Sequence, residues 1–140
     1  MSDKIIKVGC EGIIEDNGKI LLGLRKNCYG AGSWGLPGGH MEFGEKATKT
    51  LQRELKEEIG VDFEISDFNL ISLADDSSPG ADSHHVHISF SVKYDGQEIK
   101  LMEPEKCEEW KFFGKNNLPE NIFSSHINII KNYLNNKIYS

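Results

Sequence analysis

The sequence has little cysteine, and its cysteines follow no recognised pattern. The three of them, Cys10, Cys28 and Cys107, lie far apart and form no C-x-x-C pair. Such a set neither builds a disulfide framework nor matches the ligand spacing of a zinc ribbon. Because unpaired cysteines are typical of reducing compartments, we expect a cytoplasmic protein.

Long apolar runs are also missing. No stretch approaches the roughly 18 residues that a membrane-spanning helix requires. The first residues, MSDKIIKVGCEG, have no apolar core of the kind found in secretory signals. We therefore expect neither a membrane partner nor export.

Positive charge is in deficit. The chain has 16 lysine and arginine residues against 22 aspartate and glutamate residues, a formal net charge of -6. A long nucleic acid is therefore an unsuitable partner, since neutralising its phosphates requires a basic face. A small phosphorylated ligand is compatible with this charge, because a metal ion can offset it locally.

The remaining composition is that of a folded chain. Hydrophobic residues make up 38% of the 140 residues and charged residues 27%, so wholesale disorder is not expected. No repeat, low-complexity tract or linker divides the sequence. We predict a single domain over residues 1–140.

The N-terminal part predicts strands joined by tight turns. Residues 4–14 are rich in β-branched side chains, Asn-Gly within 15–19 is a hairpin signal, and 20–25 return as a second strand. Residues 26–40 contain too much glycine for a helix. They predict a loop, a short strand at 33–36 and a Pro-Gly-Gly turn.

Residues 45–59 form the strongest predicted helix. Glu45 is expected in its first turn, where a negative charge suits the helix dipole, and Gly60 should end it. An apolar stripe with i, i+4 spacing predicts its buried face: Ala47, Leu51, Leu55 and Ile59.

The rest of the chain predicts more strands and a second helix. Strands are expected at 61–73, 84–94 and 107–113, with a polar loop at 74–83. The last helix is expected to start near Pro119. Its expected inward side chains are Ile122, Ile127, Ile130 and Leu134. This order of elements predicts an α/β fold with a mixed sheet flanked by helices.

Three glutamates cluster on the first predicted helix. Glu54, Glu57 and Glu58 stand at i, i+3 and i+4 and border the apolar stripe. Like charges at this spacing destabilise a helix, and partly buried carboxylates without a partner are costly. Two interpretations remain: a site for a hard divalent cation such as Mg²⁺ or Mn²⁺, or a solvated face balanced by Arg53 and nearby lysines.

Residues upstream of the helix favour the metal site. Gly38 and Gly39 let the backbone approach a ligand closely, and Glu45 is near enough along the chain to pair with Arg53. The full pattern is Gly39, five residues, Glu45, seven residues, Arg53-Glu54-Leu55, one residue, Glu57-Glu58, one residue, Gly60-Val61. In every fixed position this string resembles the Nudix box, the signature of Nudix (MutT-like) hydrolases.

The resemblance implies a fold and a reaction. The implied fold is an α/β/α sandwich with a metal-binding loop–helix–loop, and the implied reaction is hydrolysis of a diphosphate linked to another moiety, usually a nucleoside. Mg²⁺, for which Mn²⁺ can substitute, would be held by Glu54, Glu57, Glu58 and the carbonyl of Gly38. Arg53 and Glu45 would form a salt bridge that orients the glutamates. Glu54 is the best candidate to orient or deprotonate the attacking water.

Two further stretches, residues 30–45 and 102–113, resemble the cytosolic nucleoside-triphosphate diphosphatases. This resemblance implies a homodimer that cleaves a nucleoside triphosphate, (d)GTP-like or carrying an oxidised guanine, to the monophosphate and pyrophosphate. It implies contacts to the phosphates from Arg25, to the nucleotide from Leu36 and Gly39, and to the base from His87.

Some residues outside the box have competing interpretations. Glu105, in the acidic EPEKCEE loop, is a candidate extra metal ligand or a solvated loop charge. His84, His85 and His87 share a predicted strand, where hydrogen-bonded or solvated histidines are commoner than a zinc site. Trp34 and Trp110 are candidates to stack on a base, although core packing is the expected role of at least Trp110.

Two other functions compete with triphosphate cleavage. The box alone does not exclude a pyrophosphatase acting on ADP-ribose or another nucleoside-diphosphate sugar. A non-catalytic Nudix module that senses a nucleotide is the second alternative. The intact glutamate set argues against the sensor, which does not need a complete metal site.

Overall fold

The computed structural model describes residues 4–77 and 82–140, and these contain seven strands and two α-helices. The strands are β1 (Ile6–Asp16), β2 (Lys19–Arg25), β3 (Trp34–Gly35), β4 (Gly38–His40), β5 (Asn69–Asp76), β6 (His84–Lys93) and β7 (Cys107–Gly114). The helices are α1 (Ala47–Ile59) and α2 (Ser124–Asn135), and a short 3₁₀ turn covers Ile65–Asp67.

All seven strands belong to one mixed sheet. The main order is β3-β2-β1-β6-β5, with β4 paired to β1 and β7 paired to β2. The central strands β1 and β6 run parallel, from Ile6 opposite His84 to Glu15 opposite Lys93, whereas the other pairs are antiparallel. The predicted mixed sheet is confirmed.

Alternating side chains of β1 and β2 supply two cores, one on each face of the sheet. Cys10, Ile14 and Leu21 belong to the cluster that includes Leu51, Leu55 and Ile59 of α1. Ile13, Ile20 and Leu22 belong to the cluster that includes Ile129 and Ile130 of α2. Because side chains alternate along a strand, Glu11 lies on the α2 side with Ile13. The predicted α/β/α sandwich is therefore confirmed.

The first hairpin agrees with its sequence signal. Asn17 and Gly18 join β1 to β2 with φ angles of 48° and 81°. Positive φ at both central residues matches the twist of the flanking strands. The register Glu15 opposite Ile20 and Asp16 opposite Lys19 lengthens β1 beyond the predicted boundary.

The predicted Pro-Gly-Gly turn is wrong, because Gly38 and Gly39 belong to β4. Gly38 pairs with Glu11 and Gly39 with Cys10 in an antiparallel register. Gly38 has φ 153°, and a Cβ there would collide with the carbonyl oxygen of Cys10. A glycine at position 38 is thus required for the close approach of β4 to β1.

Gly38→Ala is expected to lower the free energy of unfolding by about 2 to 3 kcal/mol, because the new methyl group meets rigid backbone at a strained φ. Urea titration would measure the change. Gly39→Ala is the matched control, since the three atoms nearest to a Cβ at position 39 all belong to the Glu54 side chain rather than to the backbone. Equal stability losses in the two variants would contradict this interpretation of Gly38.

Two boundaries near α1 differ from prediction. The helix starts at Ala47, after the extended residue Lys46, so Glu45 lies outside the first turn. The helix ends as predicted at Gly60, which has φ 72°. The predicted strand at 61–73 is wrong in its first half, because the strand begins only at Asn69, after the 3₁₀ turn.

The predicted polar loop at 74–83 is too long at its start. Residues 74–76 belong to β5, which ends at Asp76. The part of that loop at 78–81 lies outside the described residues.

The second helix starts later than predicted. The backbone of Asn121 and Phe123 is hydrogen-bonded to Trp34, at 2.8 Å for each bond, so this segment is extended and the helix begins at Ser124 rather than near Pro119. Ile130 faces inward as predicted, and Ile122 packs against the same core. Leu134 is 39% exposed, which contradicts its predicted burial, and Ile127 is only half-buried. The buried positions of α2 include His126 and Ile129 instead.

None of the helices within the described ranges is long and apolar enough to cross a membrane.

Candidate active site

A cleft of about 910 Å³ lies between α1, β4 and the start of α2. Most of the predicted site residues line it: Arg25, Leu36, Gly38, Gly39, Glu54, Glu57, Glu58 and His87. The structure therefore brings the helix glutamates and the predicted substrate-binding residues to the same cavity.

The three glutamates of α1 occupy different depths. Glu58 accepts a hydrogen bond from the Gly38 N–H at 2.7 Å. The Glu54 carboxylate lies against Gly39, where a Cβ would collide with it. Glu57 is 49% exposed at the mouth of the cleft. The paired glycines thus let β4 approach the two deeper carboxylates.

The protein compensates only in part for the charge that these deeper carboxylates would carry when ionised. Burial raises the pKa of Glu58 to about 8, although the Gly38 hydrogen bond opposes the shift. Burial also raises the pKa of Glu54, and the charge of Glu57 adds to this effect while Arg53 opposes it. Converging buried oxygens that lack a full counter-charge suit a hard divalent cation. The donor set therefore fits the predicted metal.

Arg53 ties the loop before α1 to the glutamates. Its Nε and Nη2 donate to the two carboxylate oxygens of Glu45 at 2.8 and 3.0 Å, which confirms the predicted pairing. Its Nη1 donates to Glu54 at 2.9 Å, and its Nη2 also reaches the carbonyl of His40 at 3.1 Å. One guanidinium therefore fixes loop, strand and helix together.

Glu45 serves this network from outside the helix. The hydrogen bonds from Arg53 and from the Glu42 N–H lower the pKa of Glu45 to about 2. Thr50 of α1 also donates to Glu45, at 2.9 Å. The Glu45 carboxylate is thus held ionised beside Arg53, in place of the predicted helix-dipole contact.

Arg25 lines the cleft but has internal partners. Its Nε and Nη2 donate to the carbonyl of Tyr29 at 3.0 and 2.9 Å, and its guanidinium lies 3.9 Å from the ring centre of Phe123. A cation–π contact of this kind stabilises the guanidinium over the ring. The side chain is therefore oriented before any ligand arrives.

The acidic loop contributes a different residue from the one predicted. Glu105 is exposed and does not line the cleft. Glu103 does line it, and its charge raises the pKa values of Glu54 and Glu58. Within the EPEKCEE stretch, Glu103 rather than Glu105 is therefore the glutamate that lines the cleft.

Sequence reasoning missed a buried cluster on the α2 side of the cleft. His87 Nδ1 lies 2.7 Å from Glu11 Oε2, and His87 Nε2 lies 3.3 Å from Asp76. Glu11 also accepts from Ser89 at 3.0 Å. Burial acts to lower the pKa of His87, but the bonds and charges of Glu11 and Asp76 raise it overall. The available signal was Glu11, an acidic residue between the apolar residues of β1.

His126 completes this cluster, which we call the Glu11 cluster (Glu11, His87 and His126). Ligand atoms of the three lie within 4.8 Å of one another, close enough to suggest a metal site. However, His126 Nδ1 accepts the Leu36 N–H at 2.9 Å. A neutral imidazole that accepts at Nδ1 carries its proton on Nε2, which then has no lone pair for a metal. The cluster is therefore a hydrogen-bonding site.

The strand histidines do not gather around a zinc ion. His85 pairs with His40, with their Nε2 atoms 3.1 Å apart, whereas His87 pairs with Glu11. Among the residues that the structure describes, His84, His85 and His87 form no common ligand group. His85 and His87 are hydrogen-bonded to other side chains instead.

The two tryptophans lie in different parts of the structure. Trp34 packs edge-on against Phe113, with ring centres 4.8 Å apart, in the α2-side core. Trp110 lines the cleft and also packs against the α1-side core, directly over Gly23. Only Trp110 is thus available to a ligand.

The family model described as the NUDIX domain matches residues 4–133. The chain belongs to the Nudix family. A relative from Methanocaldococcus jannaschii, named ADP-ribose pyrophosphatase, is 38% identical over 127 residues, which is 91% of this chain and 72% of that protein. The protein is therefore a Nudix hydrolase, as the box predicts.

Two further comparisons describe this Nudix chain. A MutT Nudix hydrolase from Burkholderia pseudomallei has a similar crystal structure, with a TM-score of 0.85 and 28% identity, over 92% of this chain and 98% of that one. The oxidized purine nucleoside triphosphate hydrolase of Danio rerio is 39% identical over only 49 residues, or 35% of this chain and 31% of that protein. Similarity to a triphosphate hydrolase is thus local, whereas similarity to the pyrophosphatase spans most of the chain.

Proposed function

We propose that this Nudix hydrolase cleaves ADP-ribose to AMP and ribose 5-phosphate with a divalent cation. The observation that carries the reaction type is the convergence of the buried Glu54 and Glu58 carboxylates at Gly38 and Gly39 in the cleft. The long match to a relative named ADP-ribose pyrophosphatase supports the choice of substrate. The sequence alone favoured a nucleoside triphosphate over ADP-ribose as the substrate. The present proposal reverses that order.

Glu54, Glu57, Glu58 and the carbonyl of Gly38 would hold the cation, which is Mg²⁺ or Mn²⁺ in this proposal. Glu103 lies close enough to influence Glu54 and Glu58 electrostatically. Glu103 therefore replaces Glu105 as the additional candidate from the acidic loop. When bound, the cation would neutralise the diphosphate and lower the pKa of the attacking water.

The protein's own groups would orient and move the proton. Water attacks one phosphorus, the bond from that phosphorus to the bridging oxygen breaks, and a carboxylate oxygen of Glu54 takes the proton of the water. In the metal-free protein burial raises the pKa of Glu54, and a bound cation would oppose this shift. Arg53, at 2.9 Å from Glu54, holds that carboxylate in position.

Binding of the substrate would use the other cleft residues. Arg25 would contact a phosphate through guanidinium hydrogens that do not bond to Tyr29. Leu36 and Gly39 would line the nucleotide, and His87 would lie near its base. These four assignments come from the resemblance, and their place on the cleft wall supports them.

A second candidate is cleavage of a (d)GTP-like or oxidised guanine triphosphate to the monophosphate and pyrophosphate. The local match to a purine triphosphate hydrolase favours it. A substrate panel separates the candidates: ADP-ribose, a UDP-sugar, dGTP and 8-oxo-dGTP, each assayed with Mg²⁺, with Mn²⁺ and with EDTA. We expect the highest kcat/KM with ADP-ribose.

Two results of this panel would overturn the proposal. A higher kcat/KM with either guanine triphosphate would restore the triphosphate reading. Nucleotide binding without any hydrolysis would support the sensor alternative.

The assembly of the protein and its location in the cell are inferred in the same way. We propose a single domain over residues 1–140 that forms a homodimer in the cytoplasm, as the resemblance implies. Light scattering coupled to size-exclusion chromatography would test the dimer, and a monomer at micromolar concentration would contradict it.

A further inference from the structure

Within the Glu11 cluster only His87 has a role in the proposed function, yet Glu11 and His126 line the same cleft. Glu11 is 3% exposed, and His87 and His126 are each 5% exposed. Burying three polar side chains is costly unless each one has a hydrogen-bond partner. Every polar atom of the cluster that lacks a partner therefore indicates where a ligand would bind.

The proton on His126 has a fixed position. The Leu36 N–H donates to Nδ1 at 2.9 Å, so the neutral ring carries its hydrogen on Nε2. Burial and the nearby charges of His87 and Arg25 lower the pKa of His126 well below its usual range, which keeps the ring neutral. His126 is thus a donor, and only a donor, at Nε2.

This donor has no partner within the described part of the chain. Glu11 Oε2 lies 3.9 Å from this nitrogen, beyond hydrogen-bond reach. Since His126 lines the cleft, a bound ligand can satisfy it.

Glu11 presents the opposite character beside it. Its Oε1 accepts from Ser89, and its Oε2 accepts from His87 Nδ1. Each carboxylate oxygen can accept two hydrogen bonds, so Oε2 has capacity for one more. The cleft floor therefore offers a donor and an acceptor side by side.

We propose that Glu11 and His126 determine base specificity by reading the polar edge of the substrate's nucleobase: His126 Nε2–H donates to a ring acceptor, and Glu11 Oε2 accepts from the neighbouring N–H. In adenine these atoms are N1 and the 6-amino group. This inference rests on the proposed function for the choice of adenine, whereas the donor–acceptor pair does not depend on it.

Geometry and surroundings favour a base over a sugar hydroxyl. A single hydroxyl oxygen placed about 2.8 Å from both His126 Nε2 and Glu11 Oε2 would see them at an angle near 90°, which is poor hydrogen-bond geometry. Two neighbouring polar atoms on the edge of a planar base can bond to the two groups with straighter hydrogen bonds. The ring of Phe123 lies edge-on to His126 and to Tyr29, with ring centres 4.8 and 5.8 Å apart. Aromatic side chains therefore lie beside the donor–acceptor pair, where they can pack against a base.

The test measures binding of AMP, a product, so that it does not depend on turnover. Titration calorimetry with Mg²⁺ would compare AMP with 1-deaza-AMP, which lacks the ring acceptor. The variant is His126→Asn, because the asparagine oxygen can still accept the Leu36 N–H while the Nε2–H is removed. His84→Asn is the matched control, since His84 lies on β6 but does not line the cleft.

Wild-type protein and the control variant should bind AMP about tenfold more tightly than 1-deaza-AMP, the value of one neutral hydrogen bond. His126→Asn should bind both equally. A second variant, Glu11→Gln, should reduce the preference for AMP over purine riboside monophosphate, which lacks the amino group.

Three outcomes would overturn the proposal. They are no binding of AMP by the wild type, no discrimination between AMP and 1-deaza-AMP, or an equal preference in His126→Asn and wild type. If ADP-ribose is not hydrolysed but AMP discrimination follows His126, the proposed function fails while this inference stands.

Discussion

Replacing Glu58 by glutamine should lower the metal-dependent rate of ADP-ribose hydrolysis by about a hundredfold to a thousandfold. Glutamine keeps the acceptor for the Gly38 N–H but removes the negative charge at the deepest ligand position. The loss should therefore come from metal binding and charge neutralisation rather than from unfolding. Steady-state kinetics over a range of Mg²⁺ concentrations would measure it.

The matched control is Glu64→Gln, which makes the same change at an exposed position outside the cleft. It should retain wild-type kinetics. Near-native turnover in Glu58→Gln at saturating Mg²⁺ would contradict the assignment of Glu58 as a metal ligand.

Glu58→Gln should also show the opposite effect on stability in the presence of a chelator. Burial raises the pKa of Glu58 to about 8 in the folded protein, above that of an unfolded glutamate. The folded state then binds more protons than the unfolded state, so metal-free stability falls as the pH rises towards 8. In EDTA at pH 9 the variant should therefore melt at a higher temperature than the wild type. A lower melting temperature would contradict the uncompensated charge at Glu58.

Arg53→Lys is expected to reduce activity by about ten- to a hundredfold, because a group that orients metal ligands is lost. A lysine ammonium cannot reproduce the fork that reaches both oxygens of Glu45 and, at the same time, Glu54. The loss should appear as a weaker apparent affinity for Mg²⁺ and a lower kcat. Kinetics at several metal concentrations would separate these effects.

Lys56→Ala is the control for Arg53→Lys on the same helix. Lys56 forms an exposed ion pair with Asp62 at 2.7 Å, and such pairs contribute little to stability. This variant should behave as wild type. If the two variants lose the same activity, Arg53 has no special role in orienting the glutamates.

The glutamate site could be predicted because its parts are close in sequence. Glu54, Glu57 and Glu58 share one helix face by spacing alone, and Arg53 reaches Glu45 across a short loop. The hairpin at Asn17 and Gly18 was equally local, since both residues take positive φ readily. The spacing of residues along the chain was therefore enough to predict most of the glutamate side of the cleft.

The Glu11 cluster could not be predicted in the same way. Glu11 and His87 are 76 positions apart and meet only because β1 and β6 are parallel neighbours. His126 joins them from α2, whose start was misplaced because residues 121–123 pair with Trp34 instead of continuing a helix. Periodicity can indicate which face a residue occupies, but not which distant strand lies beside it.

The measurement that tests the central claim most directly is product analysis of ADP-ribose incubated with the wild-type protein, first in EDTA and then after addition of Mg²⁺. Chromatography of the nucleotides would follow AMP, and a phosphate-ester assay would follow ribose 5-phosphate. We predict no products in EDTA and equal amounts of AMP and ribose 5-phosphate once Mg²⁺ is present. Cleavage in EDTA, or intact ADP-ribose after Mg²⁺ addition, would contradict the account.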